Sequence, residues 1–174
     1  MNNNTLLLID IQKEYNTPGR PYFLNGIDTS LKYAKFMLDF ARKNQWEIIH
    51  VKHLQEGELF SKDKSHSEFV EGFEPSADEK IFEKSNFSCF TSCNFTKYME
   101  NHINKNIYVA GYGSTMCCLS TIIEGYHRGF KMNFIQDASL AKAAGGRSEQ
   151  ELHEAANIII APFASTVTTS SFVD

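Results

Sequence analysis

The strongest constraint on the fold lies between Ile107 and Thr121. There an apolar run, Ile107 to Ala110, meets Gly111 and Gly113, and then Ser114-Thr115 ahead of an apolar, helix-like segment. The pattern reads as a buried parallel strand, a tight turn and a helix N-terminus. Parallel strands need crossover connections, so the rest of the chain must supply strands alternating with helices. Cys117 falls in the first turn of the expected helix. Exposed N–H groups and the positive end of the dipole favour an anion there, so a thiolate with a lowered pKa is expected. The glycines let backbone donors approach a substrate closely. The plainer reading of Cys117-Cys118 is a buried pair filling a helix–sheet interface, because free cysteine is among the most buried residue types.

The alternation is present from the start. Thr5 to Ile9 is a fully apolar run, as in a central strand covered on both faces, and it ends at Asp10, with Gln12 close behind. An acid at the carboxyl end of such a strand lies where open α/β sheets bind ligands, although an aspartate capping the next turn is also common. A loop rich in proline and glycine spans Asn16 to Gly26. Thr29 or Ser30 then caps a helix to about Asn44, with Leu31, Ala34, Met37, Leu38 and Ala41 inward. Trp46 to Val51 forms the second strand. The stretch from His53 to Ala77 has no sustained period, which marks a functional loop or lid. His50 and His53 read as a strand-end and a loop histidine rather than metal ligands.

Ile81 to Lys84 is a short strand, and a helix from Asn94 to His102 returns the chain to the Ile107 strand. Lys131 to Ile135 is a further strand closed by Asp137. Ser148 to Asn157 is helical, and Ile158 to Ala161 leads into the Thr/Ser-rich tail Ser165 to Ser171. The expectation is a three-layer α/β/α arrangement with a doubly wound, mainly parallel, Rossmann-like sheet, as one domain over residues 1–174.

Bulk properties narrow the function. A net charge of −4 without a basic cluster argues against nucleic acid as a partner. No apolar run approaches the ~20 residues that span a membrane, and no signal-peptide pattern opens the chain. A cytoplasmic protein with four reduced cysteines is expected. Cys89, Cys93, Cys117 and Cys118 make a poor zinc set, since adjacent helical cysteines project in different directions.

Asp10, Lys84 and Cys117, each just beyond an expected strand, resemble the triad of the isochorismatase-like cysteine hydrolases, which include nicotinamidases and N-carbamoylsarcosine amidohydrolases. The likeness runs over nearly the whole chain. Asp10-Ile11-Gln12 resembles the opening Asp-x-Gln, and Lys84 to Phe90 is similar to the lysine segment. Gly111 to Thr121 is similar to the nucleophile segment, with Ser114 where threonine is usual. Gln136 to Ser139 and His153 to Ser170 also fit. The resemblance implies an isochorismatase-like hydrolase fold and homo-oligomers. It further implies a cis peptide at Tyr112–Gly113, with the N–H groups of Gly113 and Cys117 forming an oxyanion hole. The metal-binding nicotinamidase branch carries Asp-x-His after its second strand. Here those positions hold His53 and Gln55, so neither a metal nor another cofactor is expected.

The residue chemistry fits independently. A thiol attacking an amide must lose a proton and the departing amine must gain one, and a single carboxylate, Asp10, can do both in turn. Lys84 beside both would favour the thiolate and hold Asp10 in place. The expectation is C–N bond hydrolysis of a small amide through a Cys117 thioester. The alternatives are Asp10-dependent vinyl-ether hydrolysis with a spectator cysteine, and an idle scaffold or thiol sensor. Gln12, Tyr15, Phe60, Phe87 and Tyr112 are candidates for the pocket wall and suggest a small, flat substrate.

Overall fold

The backbone of the sheet follows the period-2 alternation of its strands. In β1 (Asn4–Ile9), Leu6 and Leu8 enter one apolar layer while Leu7 and Ile9 enter the other. In β4 (Asn106–Tyr112), Ala110 and Tyr112 face the first layer, and Ile107 and Val109 face the second. Both faces are therefore covered. The computed structural model describes residues 3–173; Met1, Asn2 and Asp174 lie outside it. Six strands pair in parallel in the order β3-β2-β1-β4-β5-β6. This is the doubly wound order, whose switch point lies between β1 and β4.

The other strands are β2 (Glu47–His53), β3 (Lys80–Lys84), β5 (Lys131–Leu140) and β6 (Ser165–Val167). A short helix α1 (Lys13–Asn16) follows the first strand. Helix α2 (Ile27–Lys43) covers the first layer with Ala34, Met37, Leu38 and Ala41. Helices α3 (Cys93–Met99), α4 (Leu119–His127) and α5 (Glu149–Ile160) contribute Phe95, Met99, Ile122, Ala156 and Ile160 to the second.

Several boundaries move from their expected places. Helix α2 starts two residues before Thr29, after Gly26, so Ser30 is not a cap. It is buried in the first turn, where its hydroxyl donates to the Ile27 carbonyl and meets the Tyr112 hydroxyl at 2.9 Å. Strand β2 runs two residues past Val51 and ends on His53. Strand β5 runs on to Leu140, past Asp137. Ile158 to Ile160 complete α5, which opens with a capping box between Ser148 and Glu151.

Gly111 sets the closest approach in the sheet. Its φ is +132°, and a Cβ there would stand 1.9 Å from the Ile9 carbonyl oxygen of the neighbouring strand. Only glycine lets β4 pass β1 at the switch point.

Candidate active site

Four adjacent strands end at one place and each contributes one polar side chain, in the spatial order Lys84 (β3), His53 (β2), Asp10 (after β1) and Cys117 (after β4). Lys84 and Asp10 are both buried and pair at 2.8 Å. The same ammonium lies 3.2 Å from Cys117 Sγ and 3.0 Å from His53 Nδ1. One oxygen of Asp10, Oδ1, is buried without a hydrogen-bond partner. A carboxylate oxygen left open at this depth is an available proton acceptor. Asp10 also holds a left-handed backbone, φ +54°, which aspartate tolerates better than most residues.

The turn that presents Cys117 is not the first turn of an α-helix. Ser114–Cys118 forms a single π-helical turn, and α4 begins after it at Leu119. The Gly113 carbonyl accepts from the N–H groups of Met116 and Cys118, on either side of Cys117. The Tyr112–Gly113 peptide is cis. His153 ties this turn to the sheet: its Nδ1 lies 2.8 Å from the Ser114 hydroxyl and its Nε2 2.9 Å from the Gln136 carbonyl.

The expected lowering of the Cys117 pKa is reversed in the structure. Burial pushes the thiol well above its ordinary value, the Asp10 charge pushes it further, and Lys84 opposes them without prevailing. The dipole argument fails because the thiol is taken out of water beside a carboxylate. Cys117 therefore rests as a thiol. For Lys84, burial disfavours the charge, but the Asp10 charge outweighs it and the pKa rises. The lysine stays an ammonium.

A cavity of about 260 Å³ opens above Cys117, walled by Tyr15, Tyr22, Phe60, Phe87, Gln55 and Met116 among others. Tyr15, Phe60 and Phe87 thus stand where a pocket wall was expected. Gln12 and Tyr112 do not. Gln12 is fully buried behind the wall, where its amide takes the His53 N–H and donates to the carbonyls of His53 and Ser67. Tyr112 packs under Tyr15, with ring centroids 5.3 Å apart, and its hydroxyl meets Ser30. In β4 its side chain faces the α2 layer, away from the thiol.

Asp10, His53 and Cys117 could offer three metal-ligand atoms within 4.8 Å of one another. The Lys84 ammonium already bonds to all three residues' side chains, so it holds the place a cation would take. His50 lies elsewhere, against Glu79 at 2.7 Å. Among the described residues, no helix is long and apolar enough to cross a membrane.

Thiol reactivity separates the cysteines. Cys117 borders the cavity, Cys118 is fully enclosed in the second apolar layer, and Cys93 is exposed. Iodoacetamide followed by peptide mapping should modify Cys93 as a surface thiol, and Cys117 much faster than Cys118. The Cys117 rate should still be climbing above about pH 8.5, where a free cysteine is half ionised. Faster modification of Cys118 would contradict the assignment.

Comparison with known proteins agrees over the length of the chain. The isochorismatase domain family matches residues 4–171. Nicotinamidase 3 of Arabidopsis thaliana is 25% identical over 158 residues, covering 86% of this chain and 76% of the relative. Maleamate amidohydrolase of Pseudomonas putida is 22% identical over 148 residues, covering 76% and 70%. The crystal structure of an isochorismatase from P. putida superposes with a TM-score of 0.89 at 27% identity, covering 98% of this chain and 90% of its own.

Proposed function

This chain belongs to the isochorismatase family of hydrolases, and from that premise we propose that it hydrolyses a C–N bond of a small, uncharged amide through a thioester on Cys117. The observation that carries the reading is the Lys84 ammonium held between Asp10, at 2.8 Å, and Cys117, at 3.2 Å, buried behind the thiol that lines the aromatic cavity. Relatives named as a nicotinamidase and a maleamate amidohydrolase support amide chemistry.

The resting thiol shapes the mechanism. Asp10 removes the Cys117 proton as sulfur attacks the carbonyl, so no free thiolate has to persist in a buried site. The N–H groups of Gly113 and Cys117 stabilise the tetrahedral oxyanion, each donor contributing about 3 kcal/mol. Asp10 then returns its proton to the departing amine and afterwards activates water against the thioester. Lys84 remains charged throughout and offsets the negative charge that shifts between Asp10 and sulfur.

The cavity wall suggests the substrate class. Its side chains are aromatic, amide or hydroxyl groups with His53, Met116 and the thiol, and no arginine or lysine is among them to pair with a carboxylate. A panel of primary amides assayed for ammonia release tests this. Uncharged planar amides should turn over, and turnover of carboxylate-bearing amides alone would contradict the reading. The protonated resting thiol favours a second reading, Asp10-dependent vinyl-ether cleavage with Cys117 as a bystander, which the Cys117 substitution described below separates from the first.

Cytoplasmic location and homo-oligomers form part of the same proposal. Ile158 and Ile159, exposed on α5, give an apolar surface that fits self-association. One relative, a secreted isochorismatase effector of Verticillium dahliae, shows that secretion also occurs among similar chains.

A further inference from the structure

The proposed chemistry uses three of the four side chains delivered by adjacent strands and leaves His53 without a task. Its surroundings define its state. An ammonium has three donors and no acceptor, and Lys84 directs them at Asp10 Oδ2, His53 Nδ1 and Cys117 Sγ. Since Lys84 can only donate, Nδ1 must be the lone-pair nitrogen of the imidazole. The ring proton then sits on Nε2, which lies 3.1 Å from Gln55 Oε1, an acceptor. The backbone of His53 is clamped by the Gln12 amide on both its N–H and its carbonyl, and the Phe60 ring packs against the imidazole at 5.1 Å. Parallel register places His53 directly beside Lys84.

We propose that His53 is a positioning residue: as a neutral imidazole protonated on Nε2, it takes up the third donor of Lys84 and keeps the ammonium on Asp10 and Cys117. Gln55 holds the tautomer from the other side. The charged and titratable groups facing the ring are Lys84 from β3, Asp10 after β1 and Cys117 after β4. Burial and Lys84 hold its pKa below the ordinary value, against the opposing pull of Asp10. Protonation of His53 would set a second cation 3.0 Å from the first and remove its acceptor. The site therefore loses its arrangement on the acid side, when His53 gains a proton.

The inference rests on the proposed role of Cys117, but its test needs no amide substrate. Nitrogen-15 NMR of histidine-labelled protein, with the His53 signals assigned by their loss in His53→Gln, reads the tautomer directly. The expected result is an Nε2–H imidazole at pH 7 that stays neutral below the usual midpoint of about 6.5. An Nδ1–H tautomer or an imidazolium at pH 7 would overturn the proposal. Iodoacetamide modification of Cys117 at pH 8 supplies the second reading. His53→Leu should slow it about tenfold, the scale of one unsatisfied buried donor. His53→Gln, which offers an uncharged acceptor, should remain within about threefold of the unsubstituted protein. Equal rates in His53→Leu and the unsubstituted protein, or no rescue by His53→Gln, would also overturn it. If His53→Leu does not fold, the tautomer alone decides. A protein that turns over no amide yet shows the expected tautomer would leave this inference standing and remove the amidohydrolase reading.

Discussion

Asp10→Asn is expected to abolish amide turnover, with a loss of at least about a thousandfold, because both thiol deprotonation and amine protonation lose their only carrier. The substitution is sterically clean. Asparagine has the same size and shares aspartate's tolerance of the left-handed backbone found here, φ +54°. It also removes the counter-charge of Lys84, which is fully buried with Asp10. Breaking a buried pair from one side costs about 3–5 kcal/mol, so the variant must be assayed well below its own melting temperature. Cys117→Ala distinguishes the competing chemistries. An amidohydrolase is dead in both variants, whereas a vinyl-ether hydrolase loses activity in Asp10→Asn and keeps it in Cys117→Ala. A thiol sensor turns over no amide in any form.

Gly111→Ala should give little or no folded protein. The added methyl would sit 1.9 Å from a backbone oxygen of β1, at a φ of +132° that alanine resists. Neither strand can yield, since β1 and β4 are the central pair of the sheet and their residues are buried on both faces. A destabilisation above about 4 kcal/mol is expected, in the range reserved for severe steric or backbone conflicts. Soluble yield and thermal unfolding measure it, and a variant melting within a few degrees of the unsubstituted protein would contradict the close approach.

How far the sequence revealed this arrangement depends on whether the signal was local. Leu6 to Ile9 and Ile107 to Ala110 announce buried parallel strands by continuous apolarity, and Asp10 and the Gly111–Gly113 turn sit at their ends. His53 gave no such signal. The resemblance aligns it with a metal-motif position that the chain does not fulfil, and the pairing of His53 with Lys84 across β2 and β3 is what gives it a place beside the ammonium. Gln12 and Tyr112 failed for the opposite reason. Their positions in the chain are close to the site, but strand alternation and the turn after β1 send their side chains behind the wall. The thiol pKa was misjudged because helix-end electrostatics is local, while burial and the approach of Asp10 are properties of the folded chain. Thr29 or Ser30 reads as a cap because both residue types are common ones, yet the helix starts at Ile27, and Tyr112, distant in sequence, makes Ser30 an interior hydrogen-bonding partner.

The thioester itself is the central claim, and mass spectrometry on acid-quenched reactions with the amide panel tests it most directly. The peptide containing Cys117 should carry the acyl group of the substrate during turnover, Cys118 should carry none, and the adduct should vanish in Cys117→Ala together with activity. Steady amide hydrolysis by Cys117→Ala, with no acyl group on any cysteine, would contradict it.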